Sequence, residues 1–353
     1  ALQKSRQEGC VIAIAMSEEL AQLPWELLHD GKEFLLEKKP PIVVVRWMSD
    51  GKSIITCLEQ TQNRPLNLLF MATSPQNVDA VLDYEKEEGI ILDATKRSPL
   101  NLVVEESGCL TELEYLIQSY DQSYFDVVHL TGHAGHNNDK PCFVTEDDYG
   151  DAVFSDGDSI VNSLGYPLPP LIFLSGCRTG YADEGIPSLA EELLAKGAFA
   201  VIGWGESVGD KSASLVAETF YKYLAQGNPI IDAIAKTYQS LLKLIQQENY
   251  QGREWHKLRL YVGNNLPGAL VTRLRTKGRK KLPKRVNLTE KIDSQEEYCV
   301  ATGMGFVGRR RQLQNCLRVI KTDVEKVGVL IYGMGGLGKS SIAFRLSDRL
   351  GYY

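Results

Sequence analysis

The sequence predicts an α/β fold, a mainly parallel sheet flanked by helices, with the beginning of a second α/β unit behind it. Two observations carry this. From Leu66 to Gly263, short β-branched or apolar runs alternate with amphipathic stretches, the pattern of strand–helix–strand crossovers. Closer to the C-terminus, a glycine-rich loop stands between an apolar run and a helical run. At roughly 150 residues per domain, 353 residues accommodate two such units.

The expected strands are 66–72, 102–104, 126–131, 171–174, 198–203 and 258–262, with helices at 78–87, 112–120, 188–196, 211–224 and 229–247 between them. Helix ends are punctuated by Gly197 and Gly227 as stops and by Asn228-Pro229 as cap and first turn. Residues 139–158 read as a polar hairpin region. The first 60 residues add an acidic amphipathic stretch at 18–29 and a strand at 42–47, which complete the same domain. Between Arg273 and Arg285 eight bases occur without an acid, together with Gly278 and Pro283, which is linker composition. The expected organisation is a first domain at 1–268, a basic linker at 269–302 and the start of a second domain at 303–353.

Composition excludes several classes. Hydrophobic residues make up 43% and charged residues 24%, so a sizeable core is available and disorder is not indicated. With 45 acids against 39 bases the net charge is −6, which excludes a surface that binds nucleic acid throughout. Only the run at 273–285 offers a local basic contact, and it would be nonspecific. No apolar run approaches the roughly 18 residues of a membrane span, and no export signal opens the sequence, so a cytoplasmic location is expected. Seven scattered cysteines fit reduced thiols better than a disulfide framework.

The loop Gly333-Met-Gly-Gly-Leu-Gly338-Lys339-Ser340 follows Val327–Tyr332, which reads as a buried strand, and precedes a helical run beginning near Ser341. Glycine, four residues, glycine, lysine and serine is the phosphate-loop spacing. Gly333, Gly335, Gly336 and Gly338 let backbone amides converge on phosphate oxygens, with Ser341 opening the helix. Lys339 supplies charge to the outer phosphates, and the Ser340 hydroxyl is a ligand for nucleotide-bound Mg²⁺. Upstream, Gly305-Phe-Val-Gly-Arg-Arg-Arg311 resembles the opening segment of STAND-type ATPases such as the NACHT and NB-ARC families. The resemblance implies ATP or ADP with Mg²⁺ at the loop and adenine against the backbone of 306–308. Because the chain runs only 14 residues past Lys339, hydrolysis by it alone is not expected.

Two strands run into reactive residues: Val127-Val-His-Leu-Thr-Gly-His133-Ala-Gly-His136, and Leu171-Ile-Phe-Leu-Ser-Gly-Cys177-Arg-Thr-Gly180. Both side chains are expected just past a strand's carboxyl end, where ligands bind in open α/β sheets. An imidazolium beside a thiol lowers its pKa, and the thiolate is the nucleophile. On local sequence alone Cys177 reads more readily as a small buried hydrophobe than as a nucleophile. A metal site on the three histidines is disfavoured, because positions 129 and 133 of a strand lie about 13 Å apart. His129 then reads as a core residue and His136 as a polar loop residue.

These segments, with Leu23-Pro-Trp-Glu-Leu-Leu28 and Gly197-Ala-Phe-Ala-Val-Ile-Gly-Trp204, resemble CHAT domains, caspase-like cysteine peptidases of the caspase and separase clan, over about residues 20–265. The resemblance implies His133 as general base and acid and Cys177 as nucleophile. It also implies an oxyanion site from the backbone N–H groups of Cys177 and Ala134, and no cofactor for proteolysis. The family usually has glycine where Ala134 stands. Ser175 occupies a place where arginine- and lysine-specific relatives carry an acid, so a basic P1 preference is not supported. Together the two resemblances imply a peptidase controlled by ATP-dependent homo-oligomerisation. Such architectures look like prokaryotic immune, antiviral or signalling effectors that cut a partner protein, a pore-forming one among the candidates. The alternative is an inert caspase-like scaffold switched by nucleotide. Glu146, Asp147, Asp148, Asp151, Asp156 and Asp158 are expected in a solvated loop, with Ca²⁺ or a basic substrate as the other readings. Asp210 is expected to cap a helix or line the cleft, and Arg178 to pair with a cleft carboxylate or to lie on an exposed loop.

Overall fold

A computed structural model describes residues 10–15, 23–48, 55–58, 61–75, 77–78, 89–93, 99–138, 140–147, 150–176, 182–206, 208, 210–248, 254–274, 309–322 and 325–350. The strands are β1 (Cys10–Ala15), β2 (Ile42–Trp47), β3 (Thr56–Leu58), β4 (Leu66–Ala72), β5 (Leu100–Glu105), β6 (Val127–Asn137), β7 (Lys140–Glu146), β8 (Ala152–Ser155), β9 (Leu171–Gly176), β10 (Ala200–Trp204), β11 (Leu258–Val262) and β12 (Asn265–Pro267). Besides a helical stretch at 89–93, the α-helices among the described residues are α1 (Leu110–Gln118), α2 (Gly157–Leu164), α3 (Ala182–Ala195), α4 (Asp210–Ala225), α5 (Ile230–Glu248), α6 (Arg310–Thr322) and α7 (Lys339–Leu350).

The main sheet has the order β1-β2-β11-β10-β9-β6-β4-β5, and along it only β10 and β11 pair antiparallel. Side chains alternate across a strand, so each strand feeds two cores. Leu66, Leu68, Phe70, Phe173, Ile202 and Trp204 pack under α4 and α5. Leu69, Met71, Val128, Leu130, Ile172 and Val201 pack under α1, α2 and α3. Strands buried on both faces read as near-continuous apolar runs, which is why β2, β4 and β11 coincide with the expected segments. β1 and β2 join the same sheet as the strands that follow them.

Several expectations change. The strand expected at 126–131 continues to Asn137, because residues 133–137 leave the parallel sheet and pair antiparallel with β7. His133 is therefore inside a strand. The run at 327–332 is not a strand among the described residues. It has no regular secondary structure, with Val327, Leu330 and Tyr332 exposed and Ile331 alone of this run packed against the apolar cluster of α6 and α7. The stretch 18–29 is a 3-10 turn at Trp25–Leu27 in its described part. Most of the helix expected at 78–87, and the linker from 275 onward, lie outside the described residues. No described helix is long and apolar enough to cross a membrane.

Candidate active site

The site is built where β6 and β9 stop running side by side. Their parallel register pairs Thr131 with Ser175 and Gly132 with Gly176, the last residue of β9. His133 is next on β6, and it is 1% exposed and opposite Val144 of β7. Cys177, the residue after Gly176, and Arg178 lie outside the described residues.

Gly132 is required by what surrounds it. A Cβ there would stand 2.0 Å from Thr73 Oγ1 and 3.0 Å from the Phe143 ring. Thr73 is a positioning residue that sequence reasoning missed. Its amide donates to Thr131 O at 2.8 Å and its hydroxyl to Val144 O at 2.7 Å, tying the end of β4 to both β6 and β7. The only hint in the sequence is a polar residue directly after an apolar strand. Ala134 is 2% exposed, pairs with Phe143, and is not among the described residues with positive φ. It lies in a strand, so its methyl group meets no conformational penalty, and the departure from glycine is accommodated.

The other histidines behave as the sequence suggested in one case and differ in the other. His129 sits in the core, stacked on Phe173 at 4.5 Å and 5° and edge-on to Phe70 at 5.0 Å. Burial lowers its pKa to about 3, so the ring is neutral. His136 is exposed, but on β6 rather than on a loop. Ser175 is buried within β9, with no acid in its place.

Supporting segments are fastened by charge. Arg46 of β2 donates to Glu26 at 2.5 and 3.1 Å and to Leu23 O at 2.7 Å, which explains the glutamate in the Leu23–Leu28 segment. Arg64 donates to Asp126 at 2.5 and 3.0 Å, fixing the start of β6. Asp156 caps α2 by accepting from Ser159 N at 2.9 Å. Asp210 is the first residue of α4. Glu146 is not in a solvated loop. It ends β7, is 2% exposed, and accepts from Arg310 and Gln314 of α6.

In the glycine-rich loop, Gly333, Gly336 and Gly338 have φ of 146°, 77° and 80°. Open space surrounds the Cβ positions of Gly335, Gly336 and Gly338. Lys339 starts α7, followed by Ser340 and Ser341, and its ammonium donates to Met334 O at 2.7 Å. Three left-handed glycines leading into a twelve-residue helix fit a phosphate group.

An open, mainly parallel sheet between two helical layers, with the buried His133 beyond its central strand pair, defines an α/β domain. The family model described as the CHAT domain matches residues 1–264, and the chain belongs to that family. Among solved structures, caspase-1 from Spodoptera frugiperda is similar at TM-score 0.40 and 12% identity, covering 64% of this chain and 95% of that one. The Drosophila initiator caspase Dronc is similar at TM-score 0.38 and 11% identity, covering 65% and 91%. No curated protein matches the chain.

Proposed function

We propose that this CHAT protein is a cysteine endopeptidase that cuts a partner protein with His133 and Cys177, under the control of a STAND-type module beginning near residue 303. The pairing of Gly132 with Gly176 carries the reading, because the proposed base and nucleophile are the residues that follow directly in sequence after each member of that pair.

In this mechanism His133 takes the Cys177 proton and the thiolate attacks the peptide carbonyl carbon, forming the S–C bond. The oxyanion is held by the amides of Cys177 and Ala134. The C–N bond then breaks as His133 returns the proton to the leaving amine. Water, deprotonated by His133, hydrolyses the thioester to release the acid and restore the thiol. With neutral Ser175 in place of an acid, a basic P1 side chain finds no counter-charge at that position.

Gly333, Gly335, Gly336, Gly338, Lys339, Ser340 and Ser341 would hold the phosphates of ATP or ADP, with Mg²⁺ on the Ser340 hydroxyl. When bound, the nucleotide supplies phosphate charge that the loop amides and Lys339 engage. Nucleotide-dependent homo-oligomerisation would license cutting in a cytoplasmic immune or signalling response, with a pore-forming protein as one class of target. The test is cleavage of a peptide library by the full chain with and without MgATP. Loss of all cutting in Cys177→Ala and in His133→Ala is expected, and undiminished cutting in Cys177→Ala would sink the assignment.

A further inference from the structure

Four carboxylates scattered through the sequence converge at the carboxyl edge of the sheet. Glu105, Glu106, Glu112 and Glu146 are 1, 3, 7 and 2% exposed. Carboxylates buried this deeply require counter-charge, and it comes from α6 and α7. Arg310 and Gln314 donate to Glu146, and Arg345 donates to Glu106. Arg349 donates to Glu112 at 2.6 Å and reaches Glu105 at 3.5 Å. The spacings 310/314 and 345/349 are one helical turn, so each helix presents one polar face to the wall. The wall is also shaped for a guanidinium. At Gly108, with φ +75°, a Cβ would lie 2.4 Å from Arg310 and 2.8 Å from Glu146.

This docking is separable from the fold beneath it. Leu313, Leu317, Ile342 and Leu346 give the helical pair its own apolar cluster, distinct from both layers of the sheet core. A pocket lined by Ser107, Cys109, Glu112, Gln314, Leu317 and Lys321 lies in the joint. Burial pushes the Glu146 carboxyl up while Arg310 draws it down. Coulomb attraction repays only part of the desolvation of such pairs, so water competes for the carboxylates on release.

The wall reaches the proposed catalytic strand. Glu146 accepts from the Ser74 amide at 2.6 Å, the adjacent Thr73 hydroxyl donates to Val144 O, and Val144 faces His133. At the other end, α7 begins at Lys339 of the glycine loop.

We propose that α6 and α7 form an intramolecular latch, whose arginines clamp the acidic wall and thereby hold β7 against the His133 segment until the phosphate loop moves α7. The proposal rests on the reading of the loop and of His133 given above.

Hydrogen–deuterium exchange of the full chain tests it, in wild type, Arg310→Gln, Arg349→Gln and the double variant, which remove the clamps on Glu146 and on Glu112. The double variant is expected to raise exchange over 110–118 and 140–146 roughly tenfold or more, leaving 171–176 and 258–262 unchanged. Unchanged exchange over 140–146 overturns the latch. A rise spread evenly over the sheet also overturns it, because the arginines would then support the whole fold. A milder cycle uses Glu106→Gln with Arg345→Gln. The pair variant is expected to exchange no faster than Arg345→Gln alone, whereas additive increases would overturn the pairing. The iodoacetamide rate at Cys177 is read alongside. If Cys177 reacts like the exposed Cys57 in every variant, the dyad reading fails by itself and exchange still decides the latch.

Discussion

His129 and His133 lie on one strand, both nearly inaccessible to water, and they differ in the company they keep. Phe70, Phe173 and Tyr221 surround His129, an apolar cage that favours the neutral ring. His133 lies one residue past the Gly132–Gly176 pair, where β6 leaves the parallel sheet for the β7 hairpin. The same side chain is thus filler in the middle of a sheet and a candidate for chemistry at its edge. Position along the strand makes the difference.

The largest expected effect separates the two positions by stability. His129→Ala empties an aromatic cage and should cost about 3–5 kcal/mol in urea unfolding. His133→Ala should cost roughly 1–2 kcal/mol while abolishing peptide cleavage. Equal costs would remove the distinction. The next test is pH. His129 has a pKa of about 3 in the fold and roughly 6.5 when unfolded, so the unfolded chain binds the extra proton between those values. The contribution is complete above the unfolded pKa and is lost as pH falls toward the folded one, with a slope of up to about 1.4 kcal/mol per pH unit. His129→Phe keeps the stack and should remove that share of the slope in acid-unfolding curves.

Two smaller changes probe the edge. Gly132→Ala drives a methyl group into Thr73 Oγ1, which should cost about 1–3 kcal/mol and lower cleavage, with partial recovery in Gly132→Ala/Thr73→Ala. Ala134→Gly should cost only about 0.5–1 kcal/mol, as glycine does in a strand, and leave cleavage within a fewfold of wild type. A large gain in cleavage would mean that Ala134 impairs the oxyanion site.

The legible parts of the fold are those with local causes. β2, β4 and β11 announce themselves as apolar runs because both faces are covered. β1 was invisible, since it is a largely exposed edge strand, and β3 and β12 are three residues each. β6 runs past its expected end because Gly132, His133, Gly135 and His136 have loop composition, and only pairing with β7 makes that stretch a strand. Residue types at the candidate site were readable from the sequence, and the Gly132–Gly176 register was not. Glu146 was hardest, because its partner Arg310 lies 164 residues away in the chain and no local pattern predicts the pair.

The central claim is that His133 activates Cys177, and the alkylation rate of each cysteine near pH 6, read by peptide mass in wild type and His133→Ala, tests it most directly. An ordinary thiol with a pKa of about 8.5 is almost wholly protonated at that pH. The account predicts fast labelling of Cys177 that collapses in His133→Ala, with Cys57 slow in both. Labelling of Cys177 at the same rate with and without His133 would contradict it.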